Sequence, residues 1–352
     1  MNDEDWMRRC LQLARLGLGH TRSNPLVGAV LVGPSGELLS EGHHRIWGGP
    51  HAEVHALEGM HDRALLQGST LYVNLEPCAH HGKTPPCADL IAARGVGRVV
   101  VAMEDPNPLV AGKGMARLRA AGVRTLTGVL QEEARFLNRR FLTFHEKNRP
   151  YILLKWAQSP NGRMGLEGQG QVAISEAHVK PWVHRWRGQE MAILVGANTA
   201  LMDNPHLDTR ILPGPMPVRV VVDPNRRVKG DLNVLKGNQP TLIFGGQRES
   251  REGNVHILPL QNPTQPWNEV FGYLHGSGIV SVMVEGGAFT LRTLIEAGLW
   301  DEARILTGNT PLGGSILAPE MPFPSRMVEL APEASMRIAF PSQSFIDLIS
   351  RP

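Results

Sequence analysis

Pro50-His51-Ala52-Glu53 and, further on, Leu75-Glu76-Pro77-Cys78-Ala79-His80-His81-Gly82-Lys83-Thr84-Pro85-Pro86-Cys87 are the runs around which the chain reads. A catalytic zinc site needs three protein ligands and an open position for water. His51, Cys78 and Cys87 supply donors of the right kind. Glu53, on the first turn of a helix beginning near His51, can face the open position without ligating. Zinc lowers the pKa of bound water to about 7. A carboxylate beside it can take that proton and pass it to a leaving amine, as in zinc-dependent nucleobase deaminases. Helix N-termini pointing at the metal favour thiolates through their positive ends. The simple deaminase pattern spaces its Cys pair by about two residues. Here Ala79 to Pro86 intervene, so that pattern fits only with an inserted loop. The competing reading is a closed, four-ligand structural site completed by His80 or His81.

Outside these runs the composition is that of a soluble globular chain: 352 residues suit two domains, with 42% hydrophobic and 20% charged residues. A formal charge of +3 and 5% aromatic residues disfavour a nucleic-acid channel, although a phosphorylated small molecule is compatible. Cys10, Cys78 and Cys87 are the only cysteines, too few for a disulfide framework, and they point to a reducing compartment. Cys10 reads as a core residue. The acidic start Met1-Asn2-Asp3-Glu4-Asp5 lacks a signal-peptide pattern, and no run of about 18 apolar residues exists. A cytoplasmic protein without membrane contact is expected.

Strand and helix patterns alternate along the chain, which implies an α/β architecture. In the first half a helix is predicted over 5–18, capped by Asp3 or Asp5. A hairpin over 29–32 and 38–42 follows. Helices are predicted over 51–60, 87–94, 112–121 and 131–145, and strands over 71–75, 97–103 and 124–128. Glu146-Lys147-Asn148-Arg149-Pro150 is polar and turn-prone, and the expected domains are 1–147 and 148–352. In the second half, strands are predicted over 151–155, 191–195, 218–222, 241–244, 255–258, 279–284, 303–306, 336–340 and 344–348. Helices are predicted over 176–189 and after Glu285-Gly286-Gly287 up to Gly298. No Gly-x-Gly-x-x-Gly fingerprint follows a strand. Gly196-Ala197-Asn198-Thr199 and Glu285-Gly286-Gly287-Ala288-Phe289-Thr290 instead read as strand-to-helix corners. Such corners can receive a phosphate, though glycines serving only a tight turn fit them too.

Asn24-Pro25-Leu26-Val27-Gly28, the run 50–56, the run 75–87 and Asp105-Pro106-Asn107-Pro108 together resemble the bifunctional deaminase/reductase family of riboflavin biosynthesis. The long spacer between the two Cys is that family's own variant. The resemblance covers nearly the whole chain. It implies a cytidine-deaminase-like α/β/α sandwich followed by a dihydrofolate-reductase-like α/β domain, with Zn2+ and NADPH as cofactors. It further implies hydrolytic deamination of 2,5-diamino-6-ribosylamino-4(3H)-pyrimidinone 5′-phosphate, a phosphorylated pyrimidine, then reduction of its ribose to ribityl. Glu53 matches the catalytic proton shuttle, and Asn24 the residue that binds the base. His44 and Lys83 match residues near the phosphate, and Asp105 and Asn107 match the ribose side. A homo-oligomer, dimer or tetramer, is expected.

In the second half the matching landmarks are Lys155-Trp156-Ala157-Gln158-Ser159, Arg187, the Gly196 corner, Asp203-Asn204-Pro205, the stretch 207–210, Asp223 and the Glu285 corner. They imply that Ala157, Ala173, Thr199, Asp203, Pro224 and the run from Gly287 through Ala288, Phe289 and Thr290 to Thr293 contact NADPH. They imply that Lys155, Gln171, Arg187, Leu207, Arg210 and Glu285 contact substrate, the two Arg being suited to a phosphate. Lys155 matches a residue that polarises or protonates the ribose. There are departures from the family pattern. Asn161 replaces an Asp, Gln171 and Ala173 stand where a Ser and an aromatic residue are common, Asp208 replaces a Thr, and Pro224 replaces a Ser that contacts the cofactor. They leave open a chain that only deaminates, its second domain being a scaffold. The remaining alternatives are a free-nucleoside or nucleic-acid deaminase and a non-enzymatic zinc module.

Overall fold

The computed structural model describes residues 1–80, 85–107, 111–166, 168, 170, 172–175, 177–211, 214–331 and 334–350. His81, Lys83 and Gln171 therefore lie outside the described residues. The chain divides into two compact units, Met1–Lys147 and Asn148–Pro352.

The first unit runs α1 (Asp3–Arg15), β1 (Gly28–Val32), β2 (Leu38–His43), α2 (Ala52–Leu57), α3 (Arg63–Gly68), β3 (Thr70–Val73), α4 (Cys87–Arg94), β4 (Arg98–Val101), α5 (Lys113–Ala120), β5 (Arg124–Thr127), α6 (Gln131–Leu137) and α7 (Arg139–Lys147). The cap of α1 is Asn2 rather than Asp3 or Asp5. Asn2 Oδ1 accepts from Asp5 N at 2.9 Å and Asp5 Oδ2 accepts from Asn2 N at 3.0 Å, a reciprocal capping box. The five-stranded sheet has the order β2-β1-β3-β4-β5. β1 pairs antiparallel with β2 and β3, whereas β3, β4 and β5 are parallel and joined through helices.

Every residue of β1 is buried because both sheet faces are covered. Val30, Val32 and Val100 pack with α1, α6 and α7; Ala29, Leu31, Val99 and Val101 pack with α2, α4 and α5. Each such fully buried Val or Leu contributes roughly 1.5–3 kcal/mol of transfer free energy. One helix was expected over 131–145, but Asn138 interrupts it. Its buried side chain turns aside to accept from Leu26 N at 2.8 Å and donate to Leu26 O at 3.0 Å. Asn74 also donates to Leu26 O, at 2.9 Å, and accepts from Gly28 N at 2.7 Å. Two buried amides thus fasten the segment that follows Asn24.

The second unit runs β6 (Tyr151–Gln158), β7 (Arg163–Gly165), α8 (Lys180–Gln189), β8 (Ala192–Gly196), α9 (Ala197–Asp203), β9 (Val218–Val222), β10 (Thr241–Gly246), β11 (Ser250–Glu252), β12 (Val255–Pro259), α10 (Trp267–Gly276), β13 (Ser281–Val284), α11 (Ala288–Glu296), β14 (Glu302–Thr307), β15 (Ile316–Leu317), β16 (Ser325–Ala331), β17 (Ala334–Ala339) and α12 (Gln343–Ser350). Ten strands form one sheet in the order β11-β12-β10-β9-β8-β13-β6-β14-β17-β16. Its centre, from β12 to β14, is parallel. The central strands are apolar and buried on both faces, with Ile152, Leu154, Leu194 and Val284 facing one cluster and Leu153, Ile193, Val195 and Met283 the other.

Two expectations are corrected. Residues 344–348 form helix α12, not a strand. Phe345, Ile346 and Ile349 recur at helical spacing, Ile346 is buried, and Phe345 meets Phe340 edge-on at 5.5 Å. The helix expected over 176–189 is a short 3₁₀ turn, Ala177–Val179, followed by α8, whose second residue is Pro181.

Candidate functional site

In the first unit, the N-termini of α2 and α4 hold the ligand candidates. His51 is the N-cap of α2 and Cys87 the first residue of α4. Cys78 follows the end of β3 through Asn74-Leu75-Glu76-Pro77. α2 lies close to β2 because Gly42 has no side chain. A Cβ there would meet His55 Cβ at 2.5 Å and Ala52 O at 2.6 Å. His51 Nδ1 lies 3.3 Å from Cys87 Sγ and 3.7 Å from Cys78 Sγ. All three ligand atoms fall within 4.8 Å of one another.

These spacings are the edges expected of a tetrahedron with Zn–N of about 2.0–2.1 Å and Zn–S of about 2.3 Å. The donor set fits zinc. Cys87 N, at the start of α4, donates to Cys78 Sγ at 3.3 Å. The Cys78 thiol is held down, first by the Cys87 thiol and then by His51, while Cys87 is pushed up by that contact and by burial. His51 is pulled up by Cys78 against its own burial. No fourth ligand joins the cluster among the described residues, and His80 is exposed.

Glu53 is 3% exposed, on the first turn of α2. Burial pushes its carboxyl above the usual range, with His51 pulling the other way. A carboxyl so placed is suited to take up a proton and pass it on.

Asn24 Nδ2 donates to His44 Nε2 at 3.0 Å, and His44 Nδ1 donates to Pro50 O at 2.9 Å. The His44 ring stands edge-on to His51 at 5.6 Å. His44 is therefore neutral, buried and engaged at both ring nitrogens, and burial lowers its pKa. Asp105 Oδ1 accepts from Asn107 N at 2.8 Å, and burial raises the Asp105 carboxyl. The sequence reading passed over Glu76. Its buried carboxylate accepts from Asp105 N at 3.2 Å, Gly112 N at 2.9 Å, Gly114 N at 2.9 Å and Met115 N at 3.3 Å. Its position immediately before Pro77-Cys78 was the only available signal.

In the second unit, β8 and β13 lie side by side and parallel, so α9 and α11 begin at the same sheet end. A Cβ on Gly286 would meet Gly196 N at 2.7 Å and Val195 Cα at 2.8 Å. Gly287 N donates to Thr199 Oγ1 at 2.8 Å. The two Gly corners thus interlock, leaving bare backbone of the kind a nucleotide phosphate can approach. Ala288 and Phe289 open α11; Phe289 is 74% exposed and Thr290 is buried. Asp203 ends α9, and burial raises its carboxyl. Ala157 is half-buried on β6, Pro224 half-buried after β9, and Ala173 exposed.

Glu285 brings together two of the expected substrate residues, Arg187 and Lys155. Its carboxylate accepts from Arg187 Nε at 2.6 Å and Nη2 at 3.0 Å, and Lys155 Nζ lies 3.6 Å away. Arg187 Nη1 also donates to Asp208 O at 3.2 Å. Arg210 pairs with Asp208 at the surface. Leu207 is buried with φ +52°, and its carbonyl accepts from Gln239 Nε2 at 2.8 Å. Asn161 uses both ends of its amide. Nδ2 donates to Leu312 O at 2.9 Å and Oδ1 accepts from Leu312 N at 3.2 Å. A carboxylate could make only the second bond.

Residues 1–103 match the cytidine and deoxycytidylate deaminase zinc-binding region, and residues 150–338 match the RibD C-terminal domain. The riboflavin biosynthesis protein RibD of Aquifex aeolicus is 40% identical over 306 residues, covering 85% of each chain. The chain belongs to the RibD family. Its Escherichia coli member is 37% identical, covering 89% of each chain. The RibD structure of Acinetobacter baumannii superposes with a TM-score of 0.87 at 32% identity, covering 97% of this chain and 99% of that one. The Thermotoga maritima structure of a diaminohydroxyphosphoribosylaminopyrimidine deaminase/5-amino-6-(5-phosphoribosylamino)uracil reductase gives 0.86 at 32% identity, with the same coverage.

RibD chains are bifunctional enzymes of riboflavin biosynthesis, a zinc-dependent deaminase followed by an NADPH-dependent reductase, and this chain is one of them. Both expected domain folds are present. No described helix is long and apolar enough to cross a membrane.

Proposed function

We propose that residues 1–147 deaminate 2,5-diamino-6-ribosylamino-4(3H)-pyrimidinone 5′-phosphate and residues 148–352 then reduce the ribose of the product with NADPH. The observation that carries the first step is the cluster of His51, Cys78 and Cys87 beside the buried Glu53. Bound zinc supplies a water acidic enough to ionise near neutral pH. Glu53 holds that proton and delivers it to the departing amine. Asn24, its amide oriented by His44, reads the pyrimidine edge. Asp105 and Asn107 line the ribose side. His44 and Lys83 serve the phosphate, His44 acting from within the wall because both its nitrogens are already engaged.

For the second step, Thr199, Asp203, Gly287, Ala288, Phe289 and Thr290 seat NADPH at the interlocked corners, with Ala157, Ala173 and Pro224 completing the cofactor side. Lys155, Gln171, Arg187, Leu207, Arg210 and Glu285 hold the phosphoribosyl substrate. Burial lowers the Lys155 pKa, with the Glu285 carboxylate 3.6 Å away pulling it up and Arg187 pushing it down. The enzyme acts in the cytoplasm as a homo-oligomer, dimer or tetramer, on small molecules rather than nucleic acid or membranes.

Purified protein given the diaminopyrimidine phosphate releases ammonia. On adding NADPH, the nicotinamide absorbance falls as the ribityl product appears. Failure of ammonia release refutes the first step, and an unchanged absorbance with authentic deaminated substrate refutes the second.

A further inference from the structure

We propose that Glu76 is a positioning residue of the deaminase. It sets where the phosphoribosyl side of the pocket stands relative to the metal arm, an inference that rests on the deaminase reading above. Glu76 lies two residues before Cys78, and its own N–H donates to Met103 O at 3.0 Å, fixing it to the ends of β3 and β4. Its Oε2 accepts from Asp105 N at 3.2 Å and from Gly112 N at 2.9 Å. Asp105 in turn accepts from Asn107 N at 2.8 Å. One oxygen therefore holds both Asp105 N and Gly112 N.

The other oxygen, Oε1, accepts from Gly114 N at 2.9 Å and Met115 N at 3.3 Å on the first turn of α5. That helix is seated directly on the metal arm, since a Cβ on Gly114 would stand 1.9 Å from Pro77 O. Hydrogen bonds to a carboxylate are shorter and stronger than neutral ones, and buried N–H groups are costly to leave unpaired. Securing the start of α5 alone would need only the bonds from Gly112, Gly114 and Met115. The grip of Oε2 on Asp105 is what joins the ribose-side loop to the zinc arm.

Glu76→Gln keeps the shape but replaces one acceptor by an NH2 group. In either amide orientation, one pair of backbone donors then loses its acceptor. The readouts are deamination kinetics with the phosphoribosyl substrate, zinc content, and inhibition by 2,5,6-triamino-4(3H)-pyrimidinone, the same base without its ribosyl phosphate. A displaced ribose side raises KM about tenfold or more, leaves kcat within about threefold, and leaves the inhibition constant of the free base within about twofold. Zinc remains bound. Glu76→Asp, which keeps the charge, gives an intermediate KM. Because Glu76 acts through Asp105, combining Glu76→Gln with Asp105→Ala is non-additive.

An unchanged KM, equal loss for substrate and free base, or loss of zinc overturns the proposal. So does failure of both Glu76 variants to fold, which would make Glu76 a determinant of folding alone. A wild-type protein that does not deaminate the substrate overturns the underlying reading instead.

Discussion

Arg187 donates to both oxygens of Glu285, from Nε to Oε1 at 2.6 Å and from Nη2 to Oε2 at 3.0 Å. Lys155 Nζ approaches the same carboxylate at 3.6 Å. Two cations thus share one anion in a largely buried setting. Removing one partner of a buried pair strands the others and costs about 3–5 kcal/mol. Glu285→Ala should destabilise the second unit by that amount and abolish reduction while leaving deamination intact. Denaturant unfolding followed by Trp fluorescence checks this directly, since Trp156, Trp182, Trp186, Trp267 and Trp300 all lie in that unit.

The same site sets a pH dependence. Burial pushes the Glu285 carboxyl up, but Arg187 and then Lys155 overcome it, and the net value is held down to about 2 from an ordinary 4.5. A carboxylate held below its unfolded value stabilises the fold above that value. Its contribution should be complete above pH 4.5 and fade as pH falls toward about 2. Acid titration of unfolding free energy should therefore show a shallower loss over that window in Glu285→Gln than in the wild type.

At the interlocked corners, Gly286 leaves no room for a methyl group against Gly196 N and Val195 Cα. Gly286→Ala should cost about 1–3 kcal/mol through overpacking. It should also raise the KM for NADPH more than the KM for the pyrimidine. Initial-rate kinetics varying each substrate in turn distinguish that outcome from a uniform loss.

The fold was legible where chemistry and periodicity agreed. Strand segments such as 151–154 and 192–195 are continuous apolar runs, which the hydrophobic pattern reveals. The tail at 344–348 misled because Phe345, Ile346, Leu348 and Ile349 form a short apolar run whose period is ambiguous without the Phe340 contact. Asn138 misled for another reason, since its side chain serves a backbone segment more than a hundred residues away. The zinc cluster was legible because His51, Cys78 and Cys87 are chemically distinctive. Glu76 and the Arg187–Glu285 pairing were not, because a carboxylate in sequence does not reveal which donors converge on it.

Separate metal dependence follows from the two units. Cys78→Ser removes one of the three donors around which the cluster closes. It should lose zinc and deamination together, while NADPH-dependent reduction of the deaminated substrate continues. Treating the wild type with a zinc chelator should give the same split. Metal analysis paired with both activity assays checks it.

The central claim is that one chain carries two consecutive reactions at two sites, the first driven by Glu53. The most direct measurement is NADPH oxidation by Glu53→Gln supplied in turn with the diaminopyrimidine phosphate and with its deaminated product. Zinc should stay bound. Oxidation should be absent or slowed about 10²–10⁴-fold with the amino substrate, and unchanged from wild type with the deaminated one. Wild-type oxidation with both compounds, or with neither, would contradict it.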